Sequence, residues 1–377
     1  MARKDKNEMT VEERREYRKK RRIRNQIMAY LVLIIIVIGI GAGGFYGVKV
    51  LINKFSTLVS EGNDVPAADT GSVSQDQFVM SSDSAGVIST PDEIVETEIV
   101  DEGPKENEEA RAYINAMSLE DKVAAMFIVS PEDITEVDTV TQAGEQMKAS
   151  IDEYGVGGIM YTTANAQSAD QFSELVSNTQ TFYQTTYNNT MWLGYNGDNA
   201  SDYSGAGLNM TITPADQFSL GSSGVLDCVT LFPFQDGQDM ESTEESLDEM
   251  RENRFGSFSV ATSSGADAII MSNVIASNAG DNLPASLSYA MITETIRNEL
   301  GFDGVIITGY MDEAAITGNY SAADAAIMAV NAGADMILCS DDFFAAYDGV
   351  LTAVQSGEIS EERIDASLMR IYTAKYQ

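Results

Sequence analysis

From Glu109 to the C-terminus, short apolar runs alternate with longer amphipathic stretches, and this alternation constrains the fold more than any other feature of the chain. Several runs, such as Ala-Ile-Ile-Met at 268–271 and Val-Ile-Ile at 305–307, are apolar at consecutive positions. Such runs are typical of parallel strands buried on both faces by helices. The pattern predicts strands at 125–130, 156–162, 191–196, 208–214, 227–233, 266–273, 304–310 and 334–340.

Helix-start motifs lie between these runs. Three residue pairs have the spacing of helix caps: Ser168 with Gln171, Ser242 with Glu245, and, as a near variant, Ser118 with Asp121. Eight strands with intervening helices in about 270 residues predict an α/β fold of the (β/α)8 TIM-like barrel type. A doubly wound open sheet is the alternative. Residues 197–226 are too short and too rich in Gly and Ser for two full helices, so we expect a degenerate middle.

The N-terminal sequence predicts a membrane anchor. Residues 1–26 form a basic tail, and residues 27–48 contain no charged side chain and include the run LVLIIIVIGI. A helix of this length spans a hydrocarbon core of ~30 Å. Because basic residues precede the span, the N-terminus is expected in the cytoplasm. A cleaved signal peptide is the alternative, but the apolar run continues beyond Ala42, so we expect one uncleaved transmembrane helix.

The region after the predicted span is strongly acidic. Residues 49–108 show no sustained helical or strand period and are interpreted as a charge-extended linker. Residues 109–377 then form the barrel domain. With the N-terminus inside, the linker and barrel are expected outside the cytoplasm, attached to the cell membrane by a single pass.

Composition excludes several functions. The chain has 58 acidic and 23 basic residues, and so acidic a domain repels a nucleic-acid backbone. It has no histidine, which excludes Ser-His-Asp and Cys-His catalysis and His-ligated zinc. We expect no metal and no other cofactor. The two cysteines, Cys228 and Cys339, allow one disulfide or two free thiols. Because they fall three predicted strands apart, free thiols are expected.

Several stretches resemble the N-terminal domain of glycoside hydrolase family 3, in particular its bacterial β-N-acetylhexosaminidase branch. They are 117–129, 154–160, 284–288, 300–308, 331–336 and 357–364. The resemblance covers roughly 115–190 and 255–377. It implies a TIM barrel and an ancestry among hydrolases of O-glycosyl bonds in carbohydrate metabolism. Retaining glycosidases need a carboxylate nucleophile and a separate proton donor.

The catalytic positions of the family are not intact in this chain. The resemblance places the nucleophile aspartate directly after the strand ending Val-Ile-Ile-Thr308, where this chain has Gly309. The family's Lys-His-Phe-Pro-Gly-His-Gly loop corresponds to residues 230–237, with Gln235 in place of the proton-donor histidine. Neither residue can perform the family's step. Asp312 and Asp236 are the leading candidates for a relocated catalytic carboxylate, and Glu313 and Asp198 are the other two.

Three residues are candidates for contact with a sugar. Asp198 lies in Gly194-Tyr-Asn-Gly-Asp198, where the resemblance implies an acidic sugar-binding motif. Gln235 is the altered proton-donor position itself, and Tyr310 directly follows the altered nucleophile position, Gly309. The implied partners are a carbohydrate or cell-wall glycan and the membrane. A protein partner is not identified.

Three functions remain open. The first is an inactive pseudo-glycosidase that acts as a carbohydrate-, cell-wall- or protein-binding module. The second is an active hexosaminidase-like hydrolase with relocated carboxylates. The third is a purely structural, partner-binding domain, whose barrel mouth would be plugged by Tyr195, Phe232, Phe234 and Tyr310. Fold alone does not decide among them.

Overall fold

The computed structural model describes residues 103–234 and 241–377. The strands are β1 (Phe127–Val129), β2 (Gly158–Tyr161), β3 (Trp192–Tyr195), β4 (Met210–Pro214), β5 (Leu226–Phe232), β6 (Ser242–Ser246), β7 (Ala268–Met271), β8 (Ile275–Asn278), β9 (Val305–Tyr310) and β10 (Met336–Cys339). The helices are α1 (Glu108–Ala116), α2 (Leu119–Ala124), α3 (Pro131–Thr135), α4 (Glu145–Glu153), α5 (Ala169–Tyr187), α6 (Leu247–Asn253), α7 (Phe255–Ser263), a π-helix (Ala290–Glu299), α8 (Ala314–Thr317), α9 (Ala322–Ala332), α10 (Phe343–Ser356) and α11 (Glu361–Lys375).

Eight parallel strands form a nearly closed barrel in the order β3-β2-β1-β10-β9-β7-β5-β4. Each of the eight predicted runs supplies one of these strands, so the TIM-like barrel is confirmed. The strands are buried on both faces along most of their length, as in β1, β7 and β10. Side chains from inside the barrel and from the surrounding helices therefore share one hydrophobic core.

One residue, Asn209, supplies hydrogen bonds across the seam between β3 and β4 from both its backbone and its side chain. Asn209, which immediately precedes β4, donates its backbone N–H to the Leu193 carbonyl at 3.2 Å. Its side-chain Oδ1 accepts from the Leu193 N–H at 2.7 Å, and its Nδ2 donates to the Met191 carbonyl at 3.0 Å. The Asn209 side-chain amide thus supplies part of the hydrogen-bond ladder between β3 and β4, the first and last strands in the sheet order.

The middle of the barrel is irregular, as expected from its sequence. Between β3 and β5 the chain forms β4 and two short 3-10 turns, Ala200–Tyr203 and Ala215–Gln217. The sequence did not indicate the small parallel sheet of β6 and β8, which lies outside the barrel ladder.

Two of the three predicted helix caps are confirmed. The Ser168 hydroxyl accepts from the Gln171 N–H at the start of α5, and Ser118 accepts from the Asp121 N–H at the start of α2. The prediction of a cap at Ser242 is wrong, because Ser242 begins β6. The motif recurs four residues later, and Ser246 with Glu249 forms the capping box of α6.

An ion cluster packs one end of the barrel, where β9 and β10 begin. Asp335 is fully buried, and its carboxylate accepts from the Arg297 guanidinium, from the Ile306 N–H at 2.9 Å and from the Ser367 hydroxyl at 2.8 Å. Arg370 approaches the same carboxylate at 3.5 Å. Burial raises the pKa of Asp335, but the positive charges of Arg297, Arg370 and Arg363 outweigh it and hold the pKa below its usual range.

Both cysteines are free and buried, as predicted. Cys228 lies in β5 and Cys339 in β10, and β7 and β9 separate these strands in the sheet. Burial raises the pKa of both thiols. A buried thiol that stays protonated is a poor nucleophile and metal ligand.

The predicted transmembrane helix at 27–48 lies outside the described residues, as do the basic tail and most of the linker. Among the described residues, no helix is both long and apolar enough to cross a membrane. The boundary between linker and barrel stays a prediction. The first described helix, α1, begins at Glu108 with the Asn107 side chain as its cap.

Candidate functional site

The carboxyl ends of the barrel strands meet at one face, which we call the mouth. In barrels of this type the functional groups lie on the loops at this face. Four strand ends supply polar and aromatic side chains here: Tyr195 ends β3 and Asn196 follows it, Phe234 follows β5, Asn273 follows β7, and Tyr310 ends β9.

Gly309 occupies a tightly enclosed position within β9. Its N–H donates to the Ser286 hydroxyl at 2.8 Å, and that hydroxyl donates to the Ser272 carbonyl at 3.1 Å. A Cβ built on Gly309 would lie 2.9 Å from Asn273 Nδ2 and 3.0 Å from the Met271 carbonyl oxygen. Neighbouring atoms therefore occupy the space that a side chain at this position would need.

Asn273 fills that space. It is 4% exposed, and its Nδ2 donates to the Tyr310 carbonyl at 2.7 Å and to Glu313 Oε2 at 3.0 Å. Its Oδ1 is buried and has no hydrogen-bond partner among the described residues. The sequence analysis missed Asn273. The sequence feature that could have identified it is the polar pair Ser272-Asn273, directly after the apolar run 268–271.

A hydrogen bond crosses the mouth. Asn196 Nδ2 donates to the Tyr310 hydroxyl at 2.7 Å. The strands that carry these residues, β3 and β9, lie four steps apart in either direction around the barrel, so they face each other across it. Loss of water raises the pKa of the Tyr310 hydroxyl. The hydrogen bond from Asn196 opposes that shift, and the charges of Asp312 and Glu313 add to it.

The aromatic residues near the mouth are largely buried. Tyr195 is 6% exposed, Phe234 is 6% exposed and Phe232 is fully buried, whereas Tyr310 is half-buried. The Arg254 guanidinium lies 4.1 Å from the centre of the Phe234 ring and pairs with Glu245. Three of the four predicted plugging residues are thus core residues, and the fourth, Tyr310, accepts the hydrogen bond from Asn196.

The two carboxylates after β9 have different surroundings. Both residues are exposed, and they differ in their contacts. Glu313 occupies the cap position of α8, and its carboxylate accepts from the buried Asn273. Loss of water raises the pKa of Glu313. The Asn273 hydrogen bond opposes this shift, and the nearby Asp312 charge adds to it. Of the pair, Glu313 is the acid in contact with the interior of the mouth.

The remaining site candidates are dispersed or not described. Asp198 is exposed, and its backbone carbonyl accepts from the Tyr195 hydroxyl at 3.1 Å. Gln235 and Asp236 lie in 235–240, outside the described residues, so their roles stay predictions. Asn273 therefore contacts the Tyr310 carbonyl and Glu313, and Asn196 contacts the Tyr310 hydroxyl. For Asp312 and Asp198, both exposed, no side-chain hydrogen bond to this group is seen among the described residues.

Further acidic groups surround β1 and β10 at the same face. Asp133 Oδ2 accepts from the Phe343 N–H at 2.7 Å, and burial raises the pKa of Asp133 to about 6. The charges of Asp341, Asp342 and Glu136 contribute to this shift, and the Phe343 hydrogen bond opposes it. Among the described residues, no group of three His, Cys, Asp or Glu side chains is arranged to hold a metal ion.

Comparison with known families assigns the C-terminal part of the domain. Residues 232–374 match the glycosyl hydrolase family 3 N terminal domain. Beta-hexosaminidase A of Pseudoalteromonas piscicida is 32% identical over 101 residues, which are 24% of this chain and 17% of that enzyme. Beta-hexosaminidase of Chromobacterium violaceum is 28% identical over 133 residues, 34% of this chain and 37% of that enzyme. The chain thus spans well under half of these relatives.

Solved structures extend the likeness to the whole barrel. A family 3 β-N-acetylglucosaminidase from Paenibacillus superposes with a TM-score of 0.60 and 25% identity, covering 69% of this chain and 62% of that one. A β-N-acetylhexosaminidase from Beutenbergia cavernae gives a TM-score of 0.56 at 18% identity, covering 69% of this chain and 99% of that one. The second likeness concerns the fold alone.

Proposed function

We propose that this chain, which carries a glycoside hydrolase family 3 N-terminal-like domain, uses it as a non-hydrolytic binding module outside the cytoplasm. The relatives that act on glycans support a carbohydrate-related role at a coarse level. Inactivity, the binding role and the membrane anchor are the parts that this proposal adds.

The surroundings of Gly309 carry the proposal. A retaining glycosidase forms a covalent bond between its carboxylate nucleophile and the sugar. Gly309 has no side chain, and Asn273 and Met271 occupy the volume into which one would project. An amide is a poor nucleophile and does not titrate near neutral pH. The position is therefore filled by a group that cannot substitute chemically for the missing aspartate.

The bridged mouth is a second support. A sugar seated at the barrel centre would have to displace the hydrogen bond between Asn196 and Tyr310. The exposed rim, which includes Asn196, Asp198 and Asp312, still offers hydrogen-bonding groups to a polyhydroxylated ligand. We therefore place glycan binding on the rim rather than in a deep pocket.

A second candidate function, residual hydrolysis, is favoured by one observation. General acids in glycosidases have raised pKa values, and the pKa of Glu313 is raised by its loss of water. Catalysis would also need a second carboxylate across the sugar bond. Asp312, adjacent in sequence, is exposed at the rim.

The decisive experiment is a hydrolysis assay on aryl N-acetyl-β-glucosaminides, with the full-length chain purified in a maltoside detergent. We expect no turnover above that of a Glu313→Gln variant or of a mock purification. Binding of chitooligosaccharides, followed by isothermal titration, should weaken in an Asp312→Asn variant. Steady turnover that Glu313→Gln abolishes would replace this proposal with the hydrolase.

The anchor has its own test. Protease added to intact protoplasts should remove the acidic domain and spare the basic tail at residues 1–26. An Arg-to-Glu replacement of the basic cluster at 14–24 is the matched control, because it removes the charge bias that orients the span. Protection of the whole wild-type chain from protease would contradict the orientation.

A further inference from the structure

The mouth carries an excess of negative charge on one side of the barrel. Strands β1, β10 and β9 are neighbours in the sheet, and the segments that follow them span residues 130–144, 340–342 and 311–321. These segments contain acidic residues but no Lys or Arg. Four of the five residues that we call the acidic rim are exposed, and the first is half-buried: Asp133, Asp312, Glu313, Asp341 and Asp342.

The carboxylates of the acidic rim converge on the end of β10. Burial raises the pKa of the Cys339 thiol, and the negative charges of Asp133, Asp312 and Asp342 add to that shift. Carboxylates from all three segments are therefore close enough to act on one group. Among the described residues, no Lys or Arg forms an ion pair with a carboxylate of the acidic rim. The acidic rim thus concentrates like charge at one place.

Carboxylates at the opposite end of the barrel are paired with basic residues. Asp335 and Asp303 contact Arg370, and Lys122 forms ion pairs with Glu361 and with Asp365. The charge of the acidic rim is therefore a property of its place in the fold as well as of the acidic composition. Like charges that face one another destabilise the folded state, whereas a surface of one sign concentrates ligands of the opposite sign. The acidic rim therefore favours a cationic ligand.

Two polar side chains beside the acidic rim have hydrogen-bonding capacity that the described residues leave unused. Asn273 is 4% exposed and contacts Glu313 through its Nδ2, while its Oδ1 has no hydrogen-bond partner among the described residues. The same holds for Ser340 Oγ, which directly precedes Asp341. Both oxygens accept hydrogen bonds, and leaving a buried acceptor unsatisfied costs free energy. These groups therefore favour a ligand that brings N–H or O–H donors.

The spread of the charges defines the ligand further. Among the described residues, no group of three His, Cys, Asp or Glu side chains is arranged to hold a metal ion. The carboxylates of the acidic rim instead follow three strand ends, which suits a ligand with several positive charges some distance apart. The Asn196 amide and the Tyr310 hydroxyl lie at the same face, and both are groups that bind sugar hydroxyls.

We propose that the acidic rim binds an oligosaccharide of amino sugars whose amines are not acetylated, so that each ring carries one ammonium group. The ammonium groups pair with the carboxylates, and the ring hydroxyls bond to Asn196 and Tyr310. This inference rests on the proposed function, since it names the class of glycan that the mouth binds. A basic peptide offers similar charge without the hydroxyl groups and serves as a comparison.

The test is an isothermal titration of the full-length chain in a polyoxyethylene detergent, which carries no sugar. The ligand is a linear glucosamine pentamer, and the matched control is chitopentaose, its N-acetylated and uncharged form. At about pH 6 the sugar amines are protonated and ordinary exposed carboxylates are ionised. We expect the glucosamine pentamer to bind about tenfold more tightly than chitopentaose. Raising the salt from about 50 mM to about 500 mM should remove most of that difference.

A double variant locates the site. Asp341→Asn with Asp342→Asn removes two charges of the acidic rim and should weaken binding of the glucosamine pentamer about three- to tenfold. Asn also adopts the left-handed conformation of Asp342, whose φ is 59°, so the backbone is retained. Circular dichroism checks that the variant folds. If it does not fold, Glu313→Gln takes its place and should weaken binding in the same direction.

The matched control removes two charges from the opposite end of the barrel. Glu358 and Glu362 are exposed and lie at the start of α11, where Arg363 donates to the Ala334 carbonyl just before β10. Glu358→Gln with Glu362→Gln should bind the glucosamine pentamer as the wild type does. An equal loss of affinity in this control and in the rim variant would overturn the proposal, because net charge alone would then attract the ligand.

The remaining outcomes separate this inference from the proposed function. Chitopentaose that binds as tightly as the glucosamine pentamer, or more tightly, would overturn the inference and leave the proposed binding module standing. The absence of binding by either oligosaccharide at about 10 mM would overturn both. Pentalysine that binds as tightly as the glucosamine pentamer would overturn the assignment to a glycan, because the sugar hydroxyls would then contribute nothing.

Discussion

The two ends of the barrel satisfy their polar groups in different ways. At the end where the strands begin, buried Asp335 receives hydrogen bonds from arginine, serine and backbone donors. At the mouth, buried Asn273 leaves its Oδ1 without a partner among the described residues, and Ser272 Oγ is also unpartnered. Unpartnered buried atoms are not confined to the mouth, since Trp192 Nε1 at the start of β3 is one as well. What distinguishes the first end is a buried charge that is paired with opposite charges and hydrogen-bond donors.

The ion cluster and Gly309 thus lie towards opposite ends of β9. Four predictions, ordered from the largest expected effect to the smallest, measure the contrast between the two ends.

Of the four changes, replacing Asp335 should lower the free energy of unfolding the most. Asp335→Asn leaves Arg297 buried without its counter-charge, while Arg370 keeps its pair with Asp303. Removing one partner of a buried ion pair typically destabilises a protein by about 3–5 kcal/mol. Urea unfolding followed by circular dichroism measures the effect. The control at the mouth is Asp312→Asn, which is exposed and should change the free energy of unfolding by less than about 0.5 kcal/mol. An equal loss of unfolding free energy in the two variants would contradict the distinction between the two ends.

Introducing the missing carboxylate should strain the mouth. Gly309→Asp forces a Cβ against Asn273 and the Met271 carbonyl, and overpacking of this kind costs about 1–3 kcal/mol. Adding Asn273→Ala should recover part of the loss, and neither variant should hydrolyse aryl glycosides. Gly205→Asp is the matched control, since a Cβ there meets no atom within 4 Å. A well-tolerated Gly309→Asp would show that the space is not filled.

Stability should depend on pH through Asp133. Its folded pKa of about 6 lies above the ordinary value of 3.8, so the folded state binds the proton more tightly than the unfolded state. The stabilisation is therefore fully present below pH 3.8 and is lost as the pH rises through about 6. Asp133→Asn should flatten this dependence, by an amount on the order of 1 kcal/mol. Thermal melts across this range should show no such flattening for the exposed control, Asp138→Asn.

The smallest effect is expected for the bond across the mouth. Asn196→Ala removes the donor to the Tyr310 hydroxyl, and a partly exposed hydrogen bond of this kind contributes about 0.5–1 kcal/mol. Hydrogen exchange at the ends of β3 and β9 should accelerate while exchange at the Ile306 amide stays slow. Tyr310→Phe, which removes the acceptor and keeps the ring, should reproduce the result. Faster exchange at Ile306 would mean that the two ends open together.

The sequence was sufficient to predict the barrel because each parallel strand is a local apolar run. It was less informative where structure depends on distant partners. β6 is a polar segment, and its strand conformation comes from pairing with β8, which lies some 30 residues further along the chain. The same polar stretch contains two overlapping capping motifs, and only the pairing decides that Ser246, not Ser242, begins the helix.

The residues of the candidate site also differ in whether the sequence alone could identify them. Gly309 could be identified from the sequence because it directly follows a recognisable strand. The contacts of Asn273 and Ser286 with Gly309 could not be predicted, because these residues come from other parts of the chain. The bond between Asn196 and Tyr310 joins residues 114 positions apart and depends on the closure of the barrel.

That closure rests on Asn209, whose amide joins β3 to β4. A sheet that closes on itself has no free edge, whereas an opened barrel exposes two rows of unpaired backbone groups that can pair with other chains. Asn209, through its side chain and its backbone N–H, therefore helps to separate a closed barrel from a sheet with two free edges. By covering those edges it also limits strand pairing between molecules.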